Sequence, residues 1–214
     1  MKPIHLFYSW QSDRDSKVCR NFVRHALETA IENLKNSYGI EMYLDSDTAD
    51  VPGTPHVSET ILRKIRECDI FVADVTFVGS TSNGKQLPNP NVMIEFGYAR
   101  AILPDRQILL SMNTAFGQPG DLPFDLSHLR HPTQYAVPEE MSDTQRRDQR
   151  AKLSVTLTSH LKAIAGEVLS VRASQKPSAD IIAPAHAIVT NLVQMSSRGE
   201  TPAIIPGIVS TVVV

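Results

Sequence analysis

The spacing of apolar positions changes several times along the chain, and each change marks an element. Ile4 to Ser9 (IHLFYS) is a short apolar run that closes on a polar loop, the pattern of a buried strand. From Ser16 the spacing becomes helical. Val18, Phe22, Val23, Ala26, Leu27, Ala30, Ile31 and Leu34 share one face, and Arg20, Arg24, Glu28, Glu32 and Lys35 take the other. Gly39 follows this helix, and Ile40 to Leu44 reads as a second strand. The next segment, DSDTADVPGTP, is a loop by its Asp, Pro and Gly content. Thr54 and Pro55 suit an N-cap and first helical position, with Val57, Ile61, Ile65 and Cys68 on the inner face of the helix that follows. Asp69 to Val78 (DIFVADVTFV) is almost continuously apolar, as expected for a strand covered on both faces of a parallel sheet.

A polar loop, GSTSNGKQLPNP, leads into a third helix. Asn89 suits its cap and Pro90 its first position. Val92, Phe96, Ala99 and Leu103 form its core stripe, and the small residues Gly97 and Ala101 are expected to allow close packing. Pro104 and Asp105 end it, and RQILLSM is a fourth strand. Asn113 to Pro138 is rich in Pro and Gly and reads as irregular. Ser142 and Gln145 then fit a capping box opening a long helix with Leu153, Leu157, Leu161, Ile164 and Val168 on its buried side.

Alternation of strand and helix from residue 4 to about 169 predicts an α/β fold. The expected form is a doubly wound parallel sheet in flavodoxin-like order, with right-handed crossovers and a ligand crevice at the carboxyl ends of the strands. Residues 1–169 form the expected domain. Residues 170–214 are expected to be an appendage in which SVRASQKPSAD is a linker and Ile181 to Met195 a further helix. Nothing in that appendage reads as a sensor motif, and its apolar end (STVVV) is expected to pack on the domain or on a partner protein.

Composition narrows the function. The 214 residues are 42% hydrophobic and 21% charged, with a net charge of −2. Without a basic excess, a phosphate-backbone surface for nucleic acid is not expected. Two cysteines make no disulfide framework, no CxxC pair points to zinc, and the seven histidines lack metal-ligand spacing. No metal and no cofactor is expected. The N-terminal MKPIHLFYSW lacks the apolar core of a signal peptide, and no run of about 18 apolar residues exists. The cytoplasm is the expected compartment, with no membrane partner.

Two motifs compete for attention. Gly79 to Lys85 (GSTSNGK) has phosphate-loop spacing, but Gln86 stands where Ser or Thr should hold magnesium, and Leu87-Pro88 prevents a helix from starting there. The second motif is NPNVMIEFGYA, which puts a carboxylate, Glu95, among apolar residues. Asn91 and Glu95 are four apart and share a face that starts at the carboxyl end of the third strand. A lone glutamate on a helix shoulder is commonly just solvated, so its neighbours matter. The other strand ends supply Ser9, Trp10 and Asp13, then Asp45 and Asp47, then Asp74 and Thr76. Trp10 suits either stacking on a base or nicotinamide ring or packing as a lid. Asp45 suits either ribose hydroxyls or a loop cap, and Asp74 reads as a turn cap.

Taken together, FYSWQSD, CDIFVADVT and NPNVMIEFGYA, with VPG between the first two and LPFDL behind, resemble the prokaryotic TIR-like domains over roughly residues 3–135. More narrowly they resemble the nucleotide-binding TIR-like group of antiphage effectors. The resemblance implies hydrolysis of NAD⁺ at the nicotinamide–ribose bond, giving ADP-ribose or a cyclic form, with NAD⁺ as substrate. It puts the family glutamate on Glu95, with Ser9, Trp10 and Asp45 as substrate contacts and Asn91 supporting Glu95. Self-association to complete the site is also implied, with the Val51 to Pro55 loop as a lid or assembly contact. The chain departs from the Trp-Cys-x-x-Glu pattern of many TIR enzymes. Its Glu-Phe-Gly-Tyr-Ala also resembles the nucleophile setting of nucleoside 2-deoxyribosyltransferases, which leaves a transferase, or a non-catalytic TIR interaction module, as alternatives.

Overall fold

Five parallel strands form the centre of the protein in the computed structural model, which describes residues 2–46, 57–129 and 131–174. They are β1 (Ile4–Ser9), β2 (Met42–Asp45), β3 (Ile70–Asp74), β6 (Ile108–Asn113) and β7 (Thr133–Tyr135), in the order β2-β1-β3-β6-β7. Every pairing in this sheet is parallel. The chain therefore steps outward from β1 to β2, returns across β1 to β3, and continues the other way. That is the doubly wound, flavodoxin-like arrangement, with its switch point between β1 and β3.

Burial follows from this order. All five residues of β3 are buried, as its unbroken apolar run requires. Two cores lie on the two faces of the sheet. On one, α1 (Arg20–Tyr38) and α5 (Asp143–Ser174) pack through Phe22, Leu27, Leu157 and Leu161 onto Leu6, Tyr8 and Val72. On the other, α2 (Val57–Glu67) and α3 (Pro90–Ile102) bring Ile65, Val92 and Phe96 against Phe7, Phe71 and Leu110. Gly39 ends α1 in the left-handed conformation, with φ of 65°, and its N–H donates to the carbonyls of Leu34 and Lys35. The expected Ser142–Gln145 box opens α5, with the Ser142 Oγ to Gln145 Oε1 bond at 2.8 Å and the Gln145 N–H returning to Ser142 Oγ at 3.4 Å.

The structure corrects several boundaries. α1 begins at Arg20, not Ser16. The segment before it is a separate turn, in which Val18 and Cys19 donate to the Asp15 carbonyl and seat the fully buried Val18 ahead of the helix. The strand expected to run to Val78 ends at Asp74, and Phe77 and Val78 instead open an antiparallel hairpin of β4 (Phe77–Ser80) and β5 (Gln86–Pro88), turned by Gly84 at φ of 83°. No helix begins until Pro90, so Gly79 to Lys85 is not a phosphate loop. The segment expected to be irregular contains short 3-10 turns, α4 (Phe124–Ser127) and the fifth strand, β7. Gly97 and Ala101 are exposed and a Cβ at Gly97 would meet nothing, so they do not mediate close packing. The close approach falls instead at Gly117, where an added Cβ would stand 2.5 Å from the Phe77 ring.

By compactness the chain divides into Met1–Leu169 and Ser170–Val214. Ser170 to Ser174 continue α5, so the expected linker begins as helix. The proposed Thr54–Pro55 cap, the Val51 to Pro55 loop, Asp47, the Ile181 to Met195 helix and the apolar tail lie outside the described residues.

A buried polar hub joins the carboxyl ends of the strands. Asn113, fully buried at the end of β6, donates from Nδ2 to the carbonyls of Val18 (3.1 Å) and Val137 (2.8 Å). Its Oδ1 accepts from the N–H groups of Ala115 (3.2 Å) and Val137 (3.0 Å). Replacing it by alanine strips several buried backbone groups of their partners at once. Asn113→Ala is expected to cost about 3 kcal/mol or more, measured as a lower urea midpoint at unchanged denaturant slope.

Candidate functional site

Glu95 reaches the switch point because α3 is held at its first turn. Asn89 caps the helix, its side-chain oxygen accepting from the N–H groups of Asn91 (2.9 Å) and Val92 (3.1 Å). The other end of the same side chain donates from Nδ2 to Asp13 Oδ2 at 2.6 Å. One residue thus starts the helix and ties it to the loop after β1. Val92, Phe96 and Ala99 then fix the rotation of α3 by facing the core. That rotation leaves Glu95 half-buried and directed at the end of β1.

There Ser9 Oγ donates to Glu95 Oε2 at 2.6 Å. Ser9 is the last residue of β1 and pairs with Ala73 of β3, which puts the contact between the two strands of the switch point. Burial raises the Glu95 carboxyl above its ordinary range, and the Ser9 hydrogen bond opposes that rise. The sheet interior contributes a second carboxylate, Asp74, with a different surrounding. It is fully buried, accepts from the Thr76 N–H at 3.0 Å and from Gln11 Nε2 at 3.4 Å, and burial raises it as well. Asp74 is the turn cap that its sequence position implied.

The remaining sequence candidates have distinct surroundings. The Trp10 indole N–H donates to the Ser46 carbonyl at 2.6 Å, and the Arg20 guanidinium lies 4.3 Å over one face of its ring. One ring face is therefore already covered. Asp45 is buried at the end of β2, 2.9 Å from Lys64 Nζ, which is also buried, and 3.6 Å from His5 Nε2. Asn91 is exposed on α3, one turn before Glu95, and its backbone N–H donates to Asn89 Oδ1, whereas the side-chain partner of Glu95 is Ser9.

Sequence reasoning missed Arg14, which bridges elements at this end of the sheet. Its guanidinium lies 4.3 Å over Phe116 and its Nε donates to the Phe77 carbonyl at 3.0 Å. Neither contact leaves a periodic signal, because both partners lie in loops or hairpins more than sixty residues away. Burial removes thiolate chemistry. Cys19 and Cys68 are free but buried, and burial pushes both thiols up to about 12, so neither is a thiolate nucleophile at neutral pH. Among the described residues no group of three or more His, Cys, Asp or Glu is placed to hold a metal, and no helix is long and apolar enough to cross a membrane.

No protein-family model matches the chain, and no curated protein matches it in sequence. Solved structures match it in shape. A flavodoxin-like domain from Synechococcus sp. is 11% identical, with a TM-score of 0.39, covering 74% of this chain and 98% of that one. A CMP N-glycosidase, BcmB, of Clostridium botulinum is 15% identical, with a TM-score of 0.33, covering 71% and 98%. A prokaryotic SEFIR domain is 15% identical, with a TM-score of 0.35, covering 72% and 92%. The flavodoxin-like assignment stands on the strand order of the chain itself.

Two outcomes test this geometry. Titrated by carboxyl NMR, Glu95 is expected to protonate above its ordinary value, and higher again in Ser9→Ala, where the bond favouring the anion is lost. A raised folded-state value means that ionised Glu95 costs stability. The cost is absent below the unfolded value and full above the folded one, so Glu95→Gln should be at least as stable as wild type at pH 7. Asp45→Asn removes the carboxylate charge 2.9 Å from buried Lys64 and should cost about 3 kcal/mol, a loss read in urea unfolding that a purely ligand-contacting Asp45 would not show.

Proposed function

We propose that the protein is a TIR-like NAD⁺ glycohydrolase with Glu95 as its catalytic carboxylate. The observation that carries this reading is the Ser9–Glu95 contact, a half-buried carboxylate held at the β1/β3 switch point by one hydroxyl at 2.6 Å. The reaction needs little else from the protein. In NAD⁺ the C1′–N bond joins ribose to a cationic pyridinium. When it breaks, the electron pair moves to nitrogen and nicotinamide leaves neutral, so no general acid is required. What the barrier requires is a negative charge beside the oxocarbenium-like ribose. Ser9 holds Oε2 and fixes the carboxylate plane, and Oε1 faces the ribose. Partial burial strengthens the interaction, because the charge acts outside bulk water. Water then adds at C1′ and loses its proton to give ADP-ribose, or an internal adenine nitrogen adds to give a cyclic product.

In this reading the accessible part of the half-buried Trp10 ring meets the nicotinamide or adenine ring, and Asn91 supports Glu95 from one turn before it on α3. Asp45 acts at the end of β2, where its tie to Lys64 makes it a fixed wall for the ribose side. No cofactor takes part. The apolar Ile94, next to Glu95 in the chain, is 66% exposed. It supports self-association near the site, through which neighbouring copies complete it, as in an assembly-activated cytoplasmic defence effector. Residues 170–214 serve a sensor or partner protein.

The test is incubation of the full chain with NAD⁺, and separately with deoxynucleosides, over a wide dilution series. Glu95→Gln is expected to fold normally and release nicotinamide at least about a hundredfold more slowly. Wild-type specific activity should rise steeply with protein concentration. Equal release by mutant and wild type removes Glu95 from the mechanism. Base exchange between deoxynucleosides without NAD⁺ cleavage identifies a deoxyribosyltransferase. No turnover of either substrate identifies an interaction module.

A further inference from the structure

β7 is too short for the strand that it joins, and the shortfall leaves a cavity. Thr133–Tyr135 pairs with Ser111–Asn113, so among the described residues the first half of β6, Ile108 to Leu110, has β3 on one side and no strand on the other. The space that a longer β7 would fill lies beside α3 and α5, and it measures about 520 Å³. Pockets of this size hold small organic ligands.

The lining has two parts. Phe96, Ile108, Leu110, Leu129 and Ile164 make an apolar floor. Arg100, Arg106, His128, His131 and His160 stand around it, against a single carboxylate, Asp105. The two arginines already have acidic neighbours, Arg100 with Asp105 at 3.4 Å and Arg106 with Glu167 at 3.6 Å. Those carboxylates are exposed by 71% and 56%, so the pairs are solvated and weak, and both guanidinium groups are available to a stronger anion. Arg100 is also steered over the floor, its guanidinium carbon 5.9 Å from the Phe96 ring centre. Beyond the side chains, the outer edge of Ile108 to Leu110 carries backbone N–H and C=O groups with no ladder partner among the described residues. Such an edge pairs with the donor–acceptor rim of a planar heterocycle.

We propose that this cavity is a second ligand site, built for a planar heteroaromatic body carrying one phosphate, the chemistry of a nucleoside monophosphate. The ring lies on the apolar floor along the β6 edge, and the phosphate meets Arg100 and Arg106. The site is separate from the Ser9–Glu95 contact. It is lined from the amino half of β6, whereas Glu95 meets the carboxyl end of β1. Its existence does not depend on the activity assigned to Glu95.

The experiment is calorimetry of the full chain with adenosine 5′-monophosphate, and with adenosine and inorganic phosphate alone. Saturable binding of the nucleotide is expected, with each fragment at least about tenfold weaker, because floor and rim act together. Arg100→Gln/Arg106→Gln should weaken this binding by about ten- to a hundredfold. Ala163→Phe, at an exposed position of α5 on the cavity wall, should block it sterically while leaving every charge in place. A double variant of the basic hollow beside the α5 start, Arg147→Gln/Arg150→Gln, should bind as wild type does. Absence of nucleotide binding, or an isotherm unchanged in both cavity variants, overturns the proposal.

Discussion

The side chain of Asn113 is the constraint on which the carboxyl end of the sheet depends. In a parallel sheet every strand stops on the same edge, and each connection leaves with unpaired backbone groups that must find partners. Asn113 supplies them from the interior. It joins the turn before α1, the 3-10 turn after β6 and the segment after β7, while its own N–H donates to Thr76 Oγ1 at 2.9 Å. Thr76 in turn donates its N–H to Asp74, and Gln11 reaches the same carboxylate. A continuous polar network thereby fixes four strand ends relative to one another.

Two carboxylates at this edge have contrasting surroundings. Asp74 and Glu95 are both raised by burial. Asp74 has no exposure and spends its oxygens on a turn and on Gln11. Glu95 is only half-buried and has Ser9 as its hydroxyl partner. Asp45 resembles Asp74 more than Glu95, since its buried charge is met by Lys64. Position at a strand end is thus a weaker guide to function than the question of which oxygens remain uncommitted.

Positioning of Glu95 illustrates the economy of the fold. Asn89 caps α3 through its oxygen and binds Asp13 through its nitrogen, so the same amide sets the start of the helix and its distance from β1. The Trp10–Arg20 stack and the Arg14–Phe116 stack bind the loop after β1 to α1 and to the turn after β6. On the far edge, the short β7 has the opposite effect, leaving β6 half uncovered and a cavity beside it.

Local periodicity was enough to read β1, β3, the core stripe of α3, its Asn89 cap and the Ser142–Gln145 box, because each depends on residues within one or two turns of chain. The parallel character of the sheet was also legible, since a strand as apolar as β3 needs cover on both faces. Glu95 could be singled out as an unusual charge in an apolar helix. The sequence could not show that Ser9 would be its partner, that Lys64 would occupy Asp45, or that Asn113 would anchor the strand ends. Nor could it show that three residues within a Pro- and Gly-rich stretch would form β7. These contacts join residues far apart in the chain, and no local spacing encodes them. Only when the sheet assembles do strand order and register decide which polar atoms meet, and burial then decides which of those meetings hold a charge in place.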